Sequence, residues 1–136
     1  MQAVSAVIAL ASLTFCTRPS QTEIFLRSDK ASDGVYIYKF PLTDSLSAYD
    51  FWFFSRADNK PLDNVELRVR WLAPSGNSIA ETVFMKHIGT GGTRELYRSN
   101  MVPAEYGVWQ LSVRPVNVDE DFLGLGVICK ERNGAR

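Results

Sequence analysis

The chain reads as an all-β protein, an antiparallel two-sheet β-sandwich of about seven to eight strands preceded by a signal peptide. Three observations give that reading. In residues 64–76, Val65, Leu67, Val69 and Trp71 point one way and Glu66, Arg68 and Arg70 the other, the period of two of a strand with one buried and one wet face. Pro74-Ser75-Gly76 then supplies fixed φ followed by tolerance of positive φ, so the chain can reverse and the next strand can pair back antiparallel. Similar short segments recur along the chain between turn residues, and no helix-length pattern separates them.

The totals agree. At 136 residues the chain suits one domain, and 46% hydrophobic with 12% aromatic residues suits a packed core. Lys+Arg and Asp+Glu are both 15, a net charge of +0, so no overall field favours nucleic acid.

Residues 1–15 carry no charged side chain, and the run from Ala3 to Phe15, apolar apart from Ser5, Ser12 and Thr14, ends at Cys16. The run is too short to cross a hydrocarbon core, which takes roughly 20 helical residues, and has the length of a signal-peptide apolar region. Leu13-Thr14-Phe15-Cys16 resembles the lipobox of bacterial lipoproteins, although Phe15 stands where that motif usually has a small residue. The resemblance implies that Cys16 is the lipid-attachment residue and the first of the mature chain, with residues 16–22 as a polar tether. Several acyl chains at about 0.8 kcal/mol per buried methylene hold a protein on a membrane permanently. The other reading of the two cysteines is a Cys16 to Cys129 disulfide in an oxidising compartment. Cys129 also lies in a strand pattern and reads equally as a buried thiol.

The sandwich domain is assigned to residues 23–130. Residues 23–27 form a short edge strand and 28–34 a polar loop. Residues 35–40, rich in β-branched and aromatic side chains, make the next strand, with Pro41 ending it or lying on an edge. In residues 49–56, Tyr49, Phe51 and Phe53 alternate with Trp52 and Phe54, so both faces are apolar and the strand is central or covered. Asp58-Asn59-Lys60-Pro61 is a turn leading into the strand at 64–72. Residues 78–86 complete the hairpin, 89–93 form a glycine-rich loop, and 95–102 form a weaker strand. Residues 107–114 alternate cleanly, with Trp109, Leu111 and Val113 inward. Residues 117–121 are an acidic loop. The last strand, 123–130, contains Gly124 and Gly126, whose placement predicts a bulge or the close approach of another backbone. Residues 131–136 read as a polar tail. The whole is expected to be immunoglobulin- or fibronectin-like.

Chemistry-bearing constellations are sparse, and no catalytic, cofactor-binding or metal site is assigned. His87 is the only histidine, with no nucleophile motif beside it, and reads as a surface residue. The glycine loop lacks the Lys-Ser/Thr of a phosphate-binding loop, Asp119-Glu120-Asp121 reads as a solvated acidic turn, and zinc ligands are lacking. Arg56 ends an apolar strand and has Asp44 or Asp63 as candidate partners. The aromatic run at 49–54 is core, or a platform for a sugar or peptide.

Two sets of residues resemble known families. Phe40-x-Leu42-x-Asp44-Ser45, Tyr49-x-Phe51-x-Phe53-x-x-Arg56, Asn64-x-x-Leu67, Pro74-x-Gly76, Tyr106-Gly107 and the closing run from Leu123 to Val127 together resemble the gliding-motility lipoprotein family H (GldH) of Bacteroidota. In place of that family's tyrosine-aromatic pair stand Pro61-Leu62. The resemblance implies a non-enzymatic lipoprotein of the cell envelope. Its membrane attachment would run through Cys16, and its partners would be other envelope proteins of a gliding or type IX secretion apparatus. Residues 17–20 lack an acidic cluster, which points to the periplasmic face. Val69-x-Trp71-x-x-Pro74-x-Gly76, followed by Gly107-x-Trp109-x-Leu111-x-Val113, resembles macroglobulin-type or fibronectin-like modules instead, implying an adhesive or spacer role. The alternative function is a carbohydrate- or peptide-binding sandwich that uses an aromatic face, or such an adhesive module. A glycan binder would present two or more of Trp52, Phe54, Trp71 and Trp109 in a shallow groove. An assembly component would bury them and expose an edge or patch.

Overall fold

The alternating stretch folds as its pattern dictates. In the computed structural model, which describes residues 21–43 and 47–132, it forms a long strand with Val65, Leu67, Val69 and Trp71 buried and Arg68 and Arg70 exposed. Eight strands are described in all: β1 (Gln21–Arg27), β2 (Tyr36–Leu42), β3 (Ala48–Ala57), β4 (Leu62–Leu72), β5 (Ser78–Ile88), β6 (Thr93–Met101), β7 (Gly107–Pro115) and β8 (Phe122–Arg132), with a 3₁₀ turn at Ser28–Lys30. The hairpin is β4–β5, in which Trp71 pairs with Ile79 and Leu72 with Ser78. Gly76 turns it with φ of 101°.

The strands make two antiparallel sheets of four, ordered β1-β8-β3-β6 and β2-β7-β4-β5. The expected sandwich is present, but its connectivity is that of a double-sheet jelly roll. An immunoglobulin-type sandwich would put the first two strands side by side in one sheet. Here only β4 and β5 are neighbours both in sequence and in a sheet, and every other connection crosses between sheets. Alternation reports which face of a strand is buried, and it is silent on which sheet the strand joins. That is why the connectivity corrects the sequence expectation while the layer count does not.

Two boundaries also move. Gln21 and Thr22, assigned to the tether, pair with Lys130 and Cys129 in β1, and Glu131 and Arg132, assigned to the tail, continue β8. Side chains hold the latter in place, Ser47 donating to Glu131 at 2.5 Å and Arg132 meeting Asp50 at 3.4 Å. Cys16 and residues 1–15 lie outside the described residues, as does Asp44.

The core is a seam of rings that belongs to both sheets. Phe40 of β2 meets Phe51 of β3 at 5.7 Å, Phe51 meets Trp71 of β4 at 5.1 Å, and Trp71 meets Trp109 of β7 at 6.1 Å, all edge to face. Polar tips inside the sandwich are satisfied, two of them across the layers and one by the adjoining loop. The Tyr38 hydroxyl donates to the Leu125 carbonyl at 2.6 Å, and Trp71 Nε1 donates to the Tyr97 hydroxyl at 2.9 Å. Trp109 Nε1 donates to the Glu105 carbonyl at 2.9 Å. Burial pushes the Tyr38 phenol well above its ordinary range.

Register gives the sandwich two distinct ends. At one end the chain enters at Gln21 and leaves at Arg132, beside the 73–77 turn and the 102–106 loop. The Glu105 carboxylate ties these two together by accepting from Ser75 N at 2.9 Å, Ser75 Oγ at 2.7 Å and Asn77 Nδ2 at 3.3 Å, bonds that hold its pKa below the usual carboxylate value. At the other end lie Arg27, Gly124, Ala57 and the 89–92 loop.

Trp71 and Trp109 retain 4% and 8% of their exposure. Trp71→Ala and Trp109→Ala are each expected to cost about 3–5 kcal/mol, the range for emptying a buried large side chain, as a lowered midpoint in denaturant melts. Matching melts would mean that the seam does not carry the core.

Candidate functional site

β3 is apolar on both faces because it is central, between β8 and β6. Its inward row of Tyr49, Phe51 and Phe53 is core. Its outward row ends in Trp52, Phe54 and Arg56. Two strands away, β1 carries Phe25 and Arg27 on the same outward face. The sequence therefore contains one pattern twice, Phe25-Leu26-Arg27 and Phe54-Ser55-Arg56, and the sheet sets the copies side by side with β8 between them. Phe25 and Phe54 both pair with Gly126, and Arg27 pairs with Gly124.

A bulge makes the remaining adjustment. Ser55 pairs with Leu125 and Ala57 with Phe122, so Leu123 and Gly124 together oppose Arg56 alone. Such an extra residue bends its strand and re-aims the side chains around it. The Ser55 hydroxyl, itself buried, pins the bulge by donating to the Gly124 carbonyl at 2.6 Å. Gly124 has φ of 152°, and a Cβ there would sit 2.4 Å from the Leu26 carbonyl oxygen and 2.8 Å from the Phe25 ring. The close approach expected from the glycines of the last strand is therefore to β1. With no side chains in the way, the Phe25 ring lies across the two glycines, and Phe54 meets it edge to face at 5.9 Å.

The result is an open cleft of about 410 Å³ lined by Phe25, Arg27, Phe54, Arg56 and Leu123. Phe25 is 41% exposed. Of the two candidate partners of Arg56, Asp44 lies outside the described residues. Asp63 instead meets His87 Nδ1 at 2.8 Å, and among the described residues no carboxylate is within ion-pair distance of Arg56. Arg27 has only Asp29, at 4.0 Å with both side chains largely exposed, a contact worth little. A third guanidinium, Arg94, lies 5.6 Å above the Trp52 ring on the same face.

A second concavity, about 250 Å³, opens between the edge strands β5 and β6, where Trp71 and Trp109 form a floor under Ile79, Met101, Val102 and Pro103. Ile79 and Val102 are 63% and 64% exposed. The two tryptophans are too buried to offer ring faces, so of the four rings named as a possible platform only Phe54 and Trp52 face outward.

The positions set aside in the sequence have structural roles where they are described. His87 and Asp63 make an exposed pair between β5 and β4. Asp121 is buried and accepts weakly from Asn59 N and Nδ2, both at 3.4 Å, while its backbone carbonyl takes the Asp58 amide at 2.9 Å, so the acidic loop braces its neighbour. Gly92 sits against the Phe54 ring. Local alternation does not set the cleft residues Phe25, Arg27 and Leu123 apart. The repeated Phe-x-Arg spacing was available as a signal, but only the strand order makes the copies adjacent. Cys129 is buried in the core and, among the described residues, has no disulfide partner. Burial first, then Glu131 and Asp50, push its pKa up from 9.0 to about 12.

Two consequences can be measured. Gly124→Ala is expected to cost on the order of 1–3 kcal/mol and to displace β1, read as a lowered melt and faster amide exchange in residues 23–27. The Cys129 thiol ionises in the unfolded chain near pH 9 but in the folded one only near 12. Its contribution to stability is therefore complete below pH 9 and is lost as pH climbs toward 12, at up to about 1.4 kcal/mol per pH unit for one proton. Tyr97, pushed up to about 12 by burial and by its bond to Glu81, and Tyr38 join above pH 10. Cys129→Ala should accordingly flatten the decline between about pH 9 and 10, measured by denaturant titration at stepped pH.

No family model matches the chain, and no curated protein does. Solved structures similar to it include one described as "CBM4 structure and function", at a TM-score of 0.42 and 13% identity over 85% of this chain and 74% of that one. Another is described as TmCBM61 in complex with beta-1,4-galactotriose, at a TM-score of 0.32 and 15% identity over 82% of this chain and 87% of that one.

Proposed function

We propose that this protein is a non-catalytic binding module of the cell envelope, tethered to a membrane through an acylated Cys16 and facing the periplasm. The observation that carries the reading is the position of the cleft. Its aromatic and arginine side chains lie at the Arg27 end of β1, whereas the chain enters the sheet at Gln21. Six steps along a strand at about 3.3 Å each separate the two by roughly 20 Å. A domain anchored through the residues before β1 holds that cleft away from the lipid surface, toward whatever lies beyond it. The side chains available there offer hydrogen-bond donors and apolar ring surface, the means of binding.

A second reading is favoured by a different observation. The apolar rim of Ile79 and Val102 lies on the open side of the sandwich, between the free edges of β5 and β6. An assembly component, as the resemblance to the gliding-motility lipoproteins implies, would use such a rim to dock another envelope protein. Crosslinking in the native envelope separates the two. Protein partners captured from positions 79 and 102 favour the assembly reading, and capture of glycan or peptide from positions 25 and 56 favours the cleft.

The anchor has its own test. The N-terminal peptide of the mature protein is expected to begin at Cys16 and to carry acyl mass. Cys16→Ser should move the protein from the membrane to the soluble fraction. An unmodified Cys16, or a Cys16 to Cys129 bridge, in the mass spectrum would remove the anchor from the proposal.

A further inference from the structure

We infer that the cleft over the β8 bulge binds an acidic sugar, a hexuronate unit of a glycan whose ring lies against Phe25 and Phe54 and whose carboxylate is held between Arg27 and Arg56. This rests on the reading of the domain as a binding module and names the ligand class for its cleft. The charge argues first. Two guanidiniums end parallel Phe-x-Arg segments on either side of β8, and among the described residues neither has a strong ion pair. A guanidinium is a planar fork matched to a carboxylate, and its remaining N–H groups can donate to hydroxyl oxygens. An anion completes what the sheet has prepared.

The apolar part argues for a ring. Phe25, Phe54 and Leu123 border the cleft, and the glycines beneath Phe25 hold its ring close over the β8 backbone. The C–H face of a pyranose presents the flat apolar surface that such rings cover, with its carboxylate at the edge. The volume of about 410 Å³ lies at the small-ligand end of binding pockets.

Other anionic partners fit less well. Along the same outward row, exposed Glu23 follows Phe25 toward the chain-entry end, and Asp50 beyond it is buried and already paired with Arg132. A densely charged phosphate polymer laid along β1 would meet the Glu23 carboxylate, whereas a single carboxylate held between Arg27 and Arg56 does not reach it. A peptide lying in the cleft would find no free backbone on its floor, because that floor is β8, already paired to β1 and β3.

The test is calorimetric titration of the purified full chain with trigalacturonate. Its fully methyl-esterified form serves as the neutral ring, citrate as an anion without a ring, and Gly-Gly-Phe as a peptide with both a ring and a carboxylate. Saturable binding of trigalacturonate is expected, weakening with added salt and falling about tenfold or more in the Arg27→Ala/Arg56→Ala double variant. Both arginines are exposed, so that variant should keep the wild-type denaturation midpoint. The ester and citrate should each bind at least about tenfold more weakly than the acid. Equal binding of the ester, equal binding by the double variant, or arginine-dependent binding of the peptide in place of the sugar each overturns the assignment. If trigalacturonate fails while crosslinking from positions 25 and 56 still captures a ligand, the acidic-sugar assignment falls and the binding-module reading stands. Failure of both removes both.

Discussion

Each strand of a sandwich has to bury one row of side chains against the opposite sheet, and the ring seam from Phe40 through Phe51 and Trp71 to Trp109 is where this domain meets that requirement. The four rings come from four strands and both layers. Their edge-to-face contacts fix the layers' relative position more tightly than aliphatic packing alone would. The donors of the two tryptophans are both satisfied, one by Tyr97 and one by the Glu105 carbonyl, so the seam adds bulk without leaving a buried polar group unpaired. With the inner rows committed in this way, variation in chemistry is left to the outer rows, and it is an outer row that carries the cleft.

What the sequence made legible was whatever depends on local alternation. The β4–β5 hairpin, the inward rows of β4 and β7, the central place of β3 and the edge position of β1 all follow from side-chain period or from apolarity on both faces. The glycines of β8 also announced their role, since Gly124 leaves no room for a Cβ beside Leu26. Connectivity was not legible. A strand that leaves one sheet for the other looks, residue by residue, like one that turns back beside its neighbour, and so an immunoglobulin-like order and a jelly roll write similar patterns.

The cleft was hidden for the same reason. Phe25 and Arg27 are separated from Phe54 and Arg56 by about a fifth of the chain, and only the insertion of β8 between β1 and β3 makes one surface of them. The bulge adds a second layer of invisibility, because Leu123 and Gly124 read as one more alternating pair until their register with Arg56 is known. Cys129 illustrates the reverse case. Its place in an apolar run already suggested an inert thiol, and its burial between the sheets agrees.

Pairing of the first strand with the last has a consequence for how the molecule comes into being. The partner that β1 needs spans Gly124 to Lys130, near the far end of the polypeptide, so the sheet containing both cannot close while the ribosome is still making β6 or β7. Until β8 has been made, β1 has no partner in its sheet, so closure of that layer waits for β8 while the β4–β5 hairpin can already pair.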